Sequence, residues 1–280
     1  MLTTKSKVAL AGLAYRFISL GRRAAGQGNQ VVVRRGGFRW SLDLNEGIDF
    51  SIYLLGGFEK STARTLRQLV KPGDVTFDIG ANVGAHTLGL ADSVGRSGRV
   101  FAFEPSEFAY AKLKTNLALN PPLALRTEVM QLMLRDSAAG KAQPEIYASW
   151  PLATSAALHP KHRGRLVPTT GAAVDTLDRF VEHTDISRLN LVKLDVDGHE
   201  LPVLRGGFSV LTRLRPILVM ELSPYIHAEE RNSFPELVRL LAHAGYSIEE
   251  LGTRRKLPLD AVQLEGLVPD GASINVIARP

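Results

Sequence analysis

A glycine-rich turn follows the apolar run Val75 to Ile79 and precedes a segment with a helical pattern. Gly80 and Gly84 keep the backbone of this turn open, because a Cβ atom would block the close approach of a ligand. In a dinucleotide-binding fold the same turn presents a helix N-terminus to a pyrophosphate. Asp78 lies beside the turn, and its carboxylate would repel phosphate but attract the ammonium and sulfonium groups of S-adenosylmethionine (SAM). The turn therefore indicates a SAM site.

Acidic residues at the ends of the next two predicted strands extend this site. Glu104 ends the run Val100 to Phe103, where a carboxylate can accept hydrogen bonds from both hydroxyl groups of a ribose. The order of the strands predicts that Glu104 lies beside the glycine turn. Asp136 follows the next strand and could bind the adenine amino group, although an Asp at this point is equally typical of a turn or helix cap.

A second polar cluster follows the apolar run Leu191 to Leu194 and contains Asp195, Asp197, His199 and Glu200. The cluster is predicted to lie at the same edge of the sheet as the glycine turn. Methyl transfer from SAM requires an aligned acceptor and a base that takes up its proton. His199 is the predicted base, because imidazole titrates near neutral pH. Asp195 is predicted to orient the acceptor or the amino group of the cofactor.

Other interpretations of these acidic residues stay open. Asp195 and Asp197 could bind Mg²⁺, which prefers oxygen ligands and keeps several waters. Glu200 could simply favour the start of the next helix through the helix dipole. Glu221, at the end of the fifth core strand, could bind an acceptor hydroxyl or belong to a buried pair of carboxylates.

The chain resembles the FkbM-type methyltransferases, which use SAM and act mainly on hydroxyl groups of sugars and natural products. The likeness spans about residues 55 to 222, and the motifs agree with the family in order and spacing. The matching stretches are Gly57-Phe-Glu59, Pro72-Gly-Asp74, Asp78-Ile-Gly-Ala-Asn-Val-Gly84, Phe103-Glu-Pro105, Thr176-Leu-Asp178 and Val192-Lys-Leu-Asp-Val-Asp-Gly-His-Glu200. At one position the chain departs from the family, because Asp197 stands where Glu is common.

The resemblance implies a Rossmann-like, mostly parallel sheet of seven strands with a reversed last strand. It also implies SAM-dependent methylation of a hydroxyl group on a saccharide, a glycosylated acceptor or a natural product. The residues that it implies in SAM binding are Asp78, Gly80, Asn82, Gly84 and Glu104. The full predicted set adds Glu59, Ala81, Asp136 and Asp195 for cofactor binding, with His199 and Asp195 as the catalytic residues.

Apolar runs alternate with helical patterns from residue 75 onward, which is typical of an α/β fold with parallel strands and crossover helices. The predicted strands are Val75 to Ile79, Arg99 to Glu104, Val129 to Leu134, Leu191 to Val196, Ile217 to Leu222 and Ile274 to Ala278. One helix is predicted from Glu59 to Val70, because Pro72-Gly-Asp74 stops it. Another follows the capping pair Ser233 and Glu236.

Two segments lie outside this alternation. Residues 1–58 are predicted to form an N-terminal helix and a β-hairpin from Gln30 to Leu44, ahead of a methyltransferase domain at 59–280. An insertion covers about residues 137–185 and is expected to contribute to substrate recognition. Within it, only Glu145 to Ala148 and Leu166 to Val174 resemble strands. Trp150, within this insertion, could stack on a sugar ring.

The composition is that of a folded globular protein, with 45% hydrophobic and 22% charged residues. The absence of Cys excludes disulfides and thiolate metal sites. The net charge is +6, and basic residues concentrate between Lys5 and Arg39 and between Lys161 and Arg165. No nucleic-acid partner is predicted, because aromatic residues do not interleave with a long basic stripe. A small-molecule or glycan acceptor is expected instead.

The N-terminal helix contains apolar residues on one face, namely Leu10, Leu13, Phe17 and Leu20. This basic helix could lie on a membrane surface, although a helix that packs on the protein fits the pattern better. No apolar run reaches the roughly 20 residues that a membrane span requires, and we expect a cytoplasmic protein. The oligomeric state stays open, a homo-oligomer included.

Two further functions compete with methyl transfer. A dinucleotide-dependent oxidoreductase could use a similar sheet, but Asp78 and the spacing of the glycines argue against it. A SAM-binding module without catalytic activity also fits, and the shortened carboxylate of Asp197 keeps this alternative open.

Three histidines outside these motifs lie on late or peripheral helical patterns. We expect His183, His227 and His243 at the surface.

Overall fold

The computed structural model describes residues 4–148, 151–152, 158, 164–229, 233–269 and 271–280. The strands among them are β1 (Gln30–Arg35), β2 (Phe38–Asp43), β3 (Val75–Ile79), β4 (Arg99–Phe103), β5 (Thr127–Met130), β6 (Leu132–Leu134), β7 (Glu145–Ala148), β8 (Arg165–Pro168), β9 (Ala173–Asp175), β10 (Leu191–Leu194), β11 (Ile217–Leu222), β12 (Ser247–Glu250), β13 (Lys256–Leu257) and β14 (Ile274–Arg279). The helices are α1 (Thr4–Ala24), α2 (Gly47–Leu55), α3 (Lys60–Leu69), α4 (Thr87–Ser93), α5 (Glu107–Ala118), α6 (Pro121–Ala124), α7 (Leu177–His183), α8 (Glu200–Arg205), α9 (Phe208–Arg213), α10 (Pro224–Glu229), α11 (Phe234–His243) and α12 (Ala261–Leu267).

The central sheet of the described residues has the strand order β13-β12-β14-β11-β10-β3-β4-β5. From β11 to β5, each strand runs parallel to its neighbours. Strand β14 lies between β11 and β12 and is antiparallel to both. The predicted α/β class, with a mostly parallel sheet and a reversed last strand, is therefore confirmed; the two-residue strand β13 extends the predicted seven strands to eight.

Hydrophobic side chains cover both faces of this sheet. Successive residues of a strand point to opposite faces, so Phe101 and Phe103 of β4 join one cluster, whereas Val100 and Ala102 join the other. The ring of Phe77 in β3 lies 5.3 Å from the rings of both Phe101 and Phe103. Burial on two faces explains why the core strands are continuous apolar runs rather than alternating patterns.

The N-terminal residues pack against one face of the sheet. The predicted hairpin is confirmed as β1 and β2, which pair antiparallel around the turn at residues 36–37. Trp40 of β2, Phe50 of α2 and Tyr15 of α1 belong to the same hydrophobic cluster as Leu88 of α4 and Leu113 of α5. The segment predicted as an extension thus shares its core with the sheet, and the domain boundary at residue 58 stays a prediction.

Two predicted strands are interrupted. The run Val129 to Leu134 divides at Gln131 into β5 of the central sheet and β6, which pairs with β9 instead. The side-chain amide of Gln131 donates to the carbonyl of Thr170 at 2.7 Å, which ties this break to the insertion. The run Leu166 to Val174 divides into β8 and β9, because Gly171 turns the chain with a φ of +86°. Strands β7 and β8 form an antiparallel hairpin within the insertion.

No described helix is long and apolar enough to cross a membrane.

Candidate active site

A cavity of about 220 Å³ opens at the carboxyl edge of the parallel strands. Its lining brings together residues from three separate predicted motifs and from the insertion. The predicted residues in the lining are Gly80, Asn82, Glu104, Asp195, Asp197 and His199. The insertion contributes Gln143, Ile146 and Tyr147.

The glycine turn after β3 packs directly against the end of β10. Gly80 has a φ of +76°, and a Cβ atom at this position would lie 1.8 Å from the carbonyl oxygen of Asp195. The backbone amides of Gly80 and Ala81 both donate to the carbonyl of Phe103, each at 3.0 Å. Asn82 continues the turn in the left-handed region, with a φ of 48°. Only glycine permits this contact between three strand ends.

Glu104 lies in the cavity wall with both carboxylate oxygens held by backbone and side-chain donors. Its Oε2 accepts a hydrogen bond from the amide of Asn82 at 2.8 Å, and its Oε1 accepts from the amide and the hydroxyl of Ser106 at 2.9 and 2.6 Å. Burial raises the pKa of Glu104, and these hydrogen bonds oppose the rise. The carboxylate is thus fixed in orientation and reaches the cavity.

Lys193 of β10 is a buried cation beneath the glycine turn. Its Nζ donates to the carbonyl of Gly80 at 2.8 Å and lies 3.4 Å from Asp78 and 3.6 Å from Asp195. Burial by itself would lower the pKa of Lys193, but the carboxylates of Asp78, Asp195 and Glu59 outweigh it and raise the pKa above its usual range. Lys193 therefore stays charged and joins the turn to two carboxylates.

Asp78 is fully buried and does not line the cavity. Its Oδ2 accepts a hydrogen bond from the hydroxyl of Thr87 at 2.6 Å, and Lys193 neutralises its charge. The ammonium of Lys193 holds the carboxylate of Asp78 below the turn, and the direct contact between Asp78 and SAM stays a prediction. Asp78 pairs with Lys193, which in turn donates a hydrogen bond to the carbonyl of Gly80 in the glycine turn.

Asp195 and Asp197 follow β10 at the cavity wall. Burial raises the pKa of Asp195, and the ammonium of Lys193 opposes this rise. Loss of hydration, followed by repulsion from Asp195 and Glu200, raises the pKa of Asp197 to about 8. The surface of Asp197 is nevertheless exposed, and solvent screening will weaken its shift. Asp195 therefore has the more strongly enclosed carboxylate of the two.

Further carboxylates approach Asp195 from neighbouring elements. Burial raises the pKa of Glu221 well above its usual value, and the charge of Asp195 adds to the rise; Ser273 donates a hydrogen bond to Glu221. Glu59 lies 3.6 Å from the Nε2 atom of buried His86. Burial would raise the pKa of Glu59, but the hydrogen bond and the charge of His86 reverse the direction. The region around Asp195 is thus strongly acidic, with Lys193 at its base.

His227 is fully buried, so its predicted surface position is wrong. Its Nε2 lies 3.2 Å from Oε2 of Glu200, while Oε1 of Glu200 accepts from the amide of Val196 at 3.0 Å. His227 lowers the pKa of Glu200 against the opposing effect of burial. Glu200 is therefore more than a favourable helix start, because it joins α8 to α10. His183 and His243 are exposed as predicted.

Several predicted cofactor residues lie outside the cavity lining. Ala81 and Gly84 are buried in the turn; a Cβ atom at Gly84 would lie 2.7 Å from Leu113. Glu59 contacts His86, as described. Asp136 is partly exposed, and its carboxylate lies 3.9 Å from Arg205. The predicted contact of Asp136 with adenine is not supported by this arrangement, because the ion pair lies outside the cavity.

The proposed Mg²⁺ ligands do not form a recognisable metal centre. Within the described part of the chain, no group of three or more His, Asp or Glu residues is arranged to hold a metal ion. Asp195 is instead paired with Lys193. The geometry therefore gives Mg²⁺ no support.

Sequence reasoning missed Lys193, and within the insertion it singled out Trp150 rather than the cavity-lining Ile146 and Tyr147. The signal for Lys193 was present, since it is a lone charge in the otherwise apolar strand Leu191–Leu194. No comparable signal marks Ile146 and Tyr147, because the contact depends on how the hairpin folds over the sheet edge. Trp150 lies outside the described residues.

Comparison with known protein families bears directly on this site. Residues 78–248, more than half of the chain, match the methyltransferase FkbM domain family. The chain belongs to the FkbM methyltransferase family. The matched range contains the glycine turn, Glu104 and the whole Asp195 to Glu200 segment, so the cavity is built mainly from FkbM family residues.

A curated relative of this chain has a more specific name than the family. The chain is 27% identical over 161 residues to the hexuronic acid methyltransferase AglP of Haloferax volcanii. The alignment covers 58% of this chain and 61% of the relative, so the chain spans less than two thirds of the length of that relative.

Solved structures of low sequence identity also resemble the chain. A chain described as an rRNA methylase from Clostridium thermocellum has a TM-score of 0.48 at 13% identity, with coverage of 80% of this chain and 95% of that one. A SAM-dependent O-methyltransferase from Thermotoga maritima has a TM-score of 0.44 at 14% identity, with coverage of 92% and 80%.

Proposed function

We propose that this chain is a SAM-dependent methyltransferase that methylates a hydroxyl group of a saccharide or of a glycosylated natural product. The observation that carries the proposal is the single cavity in which Gly80, Glu104 and the segment from Asp195 to His199 meet. Ligands of open α/β sheets bind at this carboxyl edge. Membership of the FkbM family supports the donor, and the relative named for hexuronic acid supports a sugar acceptor.

The hydrogen-bond acceptors of the cavity fit a ribose better than a phosphate. A carboxylate offers about four lone-pair sites, and Asn82 and Ser106 occupy three of those on Glu104. One site on Oε2 remains for a ribose hydroxyl. A pyrophosphate would meet the charge of Glu104 at close range, which argues against the oxidoreductase alternative.

The charge at the other end of the site fits a sulfonium nucleoside. Asp195 lines the cavity, and the carboxylates of Glu59 and Glu221 act on it electrostatically. Burial and mutual repulsion disfavour the charged forms of Asp195 and Glu221, and a cationic ligand beside them would relieve this cost. When bound, SAM supplies a methyl group that its sulfonium has already activated.

His199 and Asp195 divide the remaining tasks at the acceptor. His199 begins the turn into α8 and lines the cavity, so its imidazole is the proposed acceptor for the hydroxyl proton. Asp195 accepts a hydrogen bond from a neighbouring hydroxyl of the acceptor, since the reacting hydroxyl has a single proton, and so aligns the reacting oxygen. The ammonium of Lys193 fixes the carboxylate of Asp195 from the opposite side.

Incubation with methyl-labelled SAM and a panel of neutral, acidic and amino sugars, free and glycosylated, tests the proposal. We expect at least one acceptor to gain a single methyl group by mass spectrometry. His199→Ala should lower turnover by about 100-fold or more, while calorimetry finds SAM affinity nearly unchanged. His183→Ala, at an exposed site on α7, is the matched control and should leave both quantities unaltered.

Each other outcome decides between the alternatives. Retained turnover in His199→Ala would remove His199 from the mechanism. Tight SAM binding without any methylated product would favour the non-catalytic SAM-binding module. Binding of NAD in place of SAM would overturn the proposal altogether.

A further inference from the structure

Helix α1 presents an apolar stripe to solvent. Leu13, Phe17 and Leu20 are 53%, 71% and 69% exposed. Their spacing of four and three residues places them on one face of the helix. The opposite face is the one that packs on the protein, through Tyr15 and Ser19, which are both buried. The helix is therefore held in place while its outer face has no covering among the described residues.

Basic residues flank this stripe. Arg16 and Arg23 are exposed and lie seven residues apart, which places them on a common face beside Phe17 and Leu20. The sequence of α1 contains five Lys or Arg residues and no Asp or Glu. The outer surface of α1 thus combines apolar and cationic side chains, the combination found in helices that lie in a membrane interface.

Charged residues are unevenly distributed along the sequence of the chain. Residues 1–42 contain eight of the 34 Lys and Arg residues and no acidic residue. The remaining 26 basic residues are set against all 28 acidic residues, so the rest of the chain carries a net charge of −2 against +8 for this segment. The positive charge is thus concentrated in the N-terminal segment of the sequence, which contains α1.

We propose that α1 docks on an anionic lipid bilayer, with Leu13, Phe17 and Leu20 inserted at the headgroup boundary and the basic residues on lipid phosphates. Charge complementarity selects this occupant: anionic headgroups attract Lys and Arg near the surface, and the acyl region accepts the apolar stripe. A nucleic acid would satisfy the charges but would leave Phe17 and Leu20 in water. A second copy of the chain would bring two positive surfaces together.

Sedimentation of the full chain with vesicles tests this surface. Vesicles of phosphatidylcholine alone and vesicles that also contain phosphatidylglycerol are compared at low and high salt. We expect binding to the anionic vesicles only, and weaker binding at high salt. The double variant Arg16→Gln/Arg23→Gln should lose about fivefold in vesicle affinity for each charge removed. Phe17→Ser/Leu20→Ser should lose about tenfold or more, because less apolar area is inserted.

Matched controls distinguish membrane docking by α1 from nonspecific adsorption and from misfolding. Val262→Ser removes an exposed apolar side chain from α12, and Arg64→Gln/Arg67→Gln removes two exposed charges from α3. Both controls should bind vesicles as the unaltered chain does. Every variant should keep its thermal unfolding midpoint and its SAM affinity, since the altered side chains are exposed and none of them lines the cavity.

Four outcomes would overturn the proposal. They are equal binding to neutral vesicles, equal losses in the control variants, binding to an RNA oligonucleotide but not to vesicles, and a dimer in sedimentation velocity that Phe17→Ser/Leu20→Ser dissociates. None of these outcomes bears on methyl transfer, so the proposed function stands or fails independently.

Discussion

Lys193 is the residue on which the geometry of the candidate site depends most. It is the cation that contacts the glycine turn, the buried Asp78 and the cavity-lining Asp195 at once. Two buried carboxylates close to one another would be costly without it. The charge of Lys193 therefore allows an acidic site to exist beside an apolar sheet.

Replacement of Lys193 by Met should weaken SAM binding in calorimetry by about tenfold or more, because the turn loses a charged hydrogen bond worth about 1.5–3 kcal/mol. Lys114→Met, at an exposed site on α5, is the control and should bind SAM normally. The pH dependence of kcat/KM distinguishes an effect of Lys193 on Asp195 from a purely structural effect of the substitution.

Lys193 opposes the raised pKa of Asp195, so its removal should raise that pKa further. The ionised carboxylate of Asp195 is the stronger hydrogen-bond acceptor, so kcat/KM falls as the pH drops through its pKa. The acid limb should therefore move to higher pH in Lys193→Met. An unchanged limb would mean that Lys193 does not act on Asp195.

The glycine turn and the position of Glu104 could be predicted from the sequence, because both depend on residues that are close together in the chain. His227 was misplaced, and the ion pair that buries Asp78 was missed, for the same reason: each residue is buried by a partner from a distant part of the chain. Lys193 reaches Asp78 across a strand pair, and Glu200 meets His227 across two elements. A single sequence does not encode such partners in its spacing.

At the scale of elements, the turn between β3 and α4 tolerates no side chain at its first glycine. Gly80→Ala should lower the free energy of unfolding by about 2 kcal/mol or more, because it combines a φ of +76° with a clash against the backbone of Asp195. Gly89→Ala is the matched control, since nothing lies within 4 Å of a Cβ atom there. Chemical denaturation measures both variants, and equal effects would refute the close contact.

The contact between Glu200 of α8 and His227 of α10 should make the free energy of unfolding depend on pH. The pKa of Glu200 is lowered from about 4.5 in the folded chain, so the stabilisation is present above that pH and is lost as the pH falls through the folded pKa. Unfolding free energies of the unaltered chain and of Glu200→Gln should differ near neutral pH and converge in acid. Glu145→Gln, an exposed carboxylate of β7, should differ little at any pH. A constant difference across the range would contradict the ion pair.

Elements with strong local patterns were predicted almost to the residue, as β3 and β11 illustrate. The run Val129 to Leu134 was predicted as one strand because its hydrophobicity is continuous. Its division depends on the hydrogen bond between Gln131 and Thr170, about 40 residues away, which no local pattern indicates.

At the scale of the whole molecule, α1 packs on α2 and on the loop before it through the face that contains Tyr15. The hydroxyl of Tyr15 donates to Asn45 at 2.7 Å, and its ring meets Phe50 edge-on at 5.8 Å. Tyr15→Ala should therefore lower the free energy of unfolding by about 3 kcal/mol. Phe17→Ala, on the exposed face, should change it by less than about 0.5 kcal/mol. Similar losses from the two variants would show that the helix is docked differently.

The position of β14 has a consequence for the order of folding. Because β14 lies between β11 and β12, neither of these strands can pair on that side until Ile274–Arg279 has entered the gap. Strands β10, β3, β4 and β5 need no such late partner. We expect a nascent chain that stops short of residue 274 to carry two open strand edges, which are templates for intermolecular pairing, while its glycine turn is already formed.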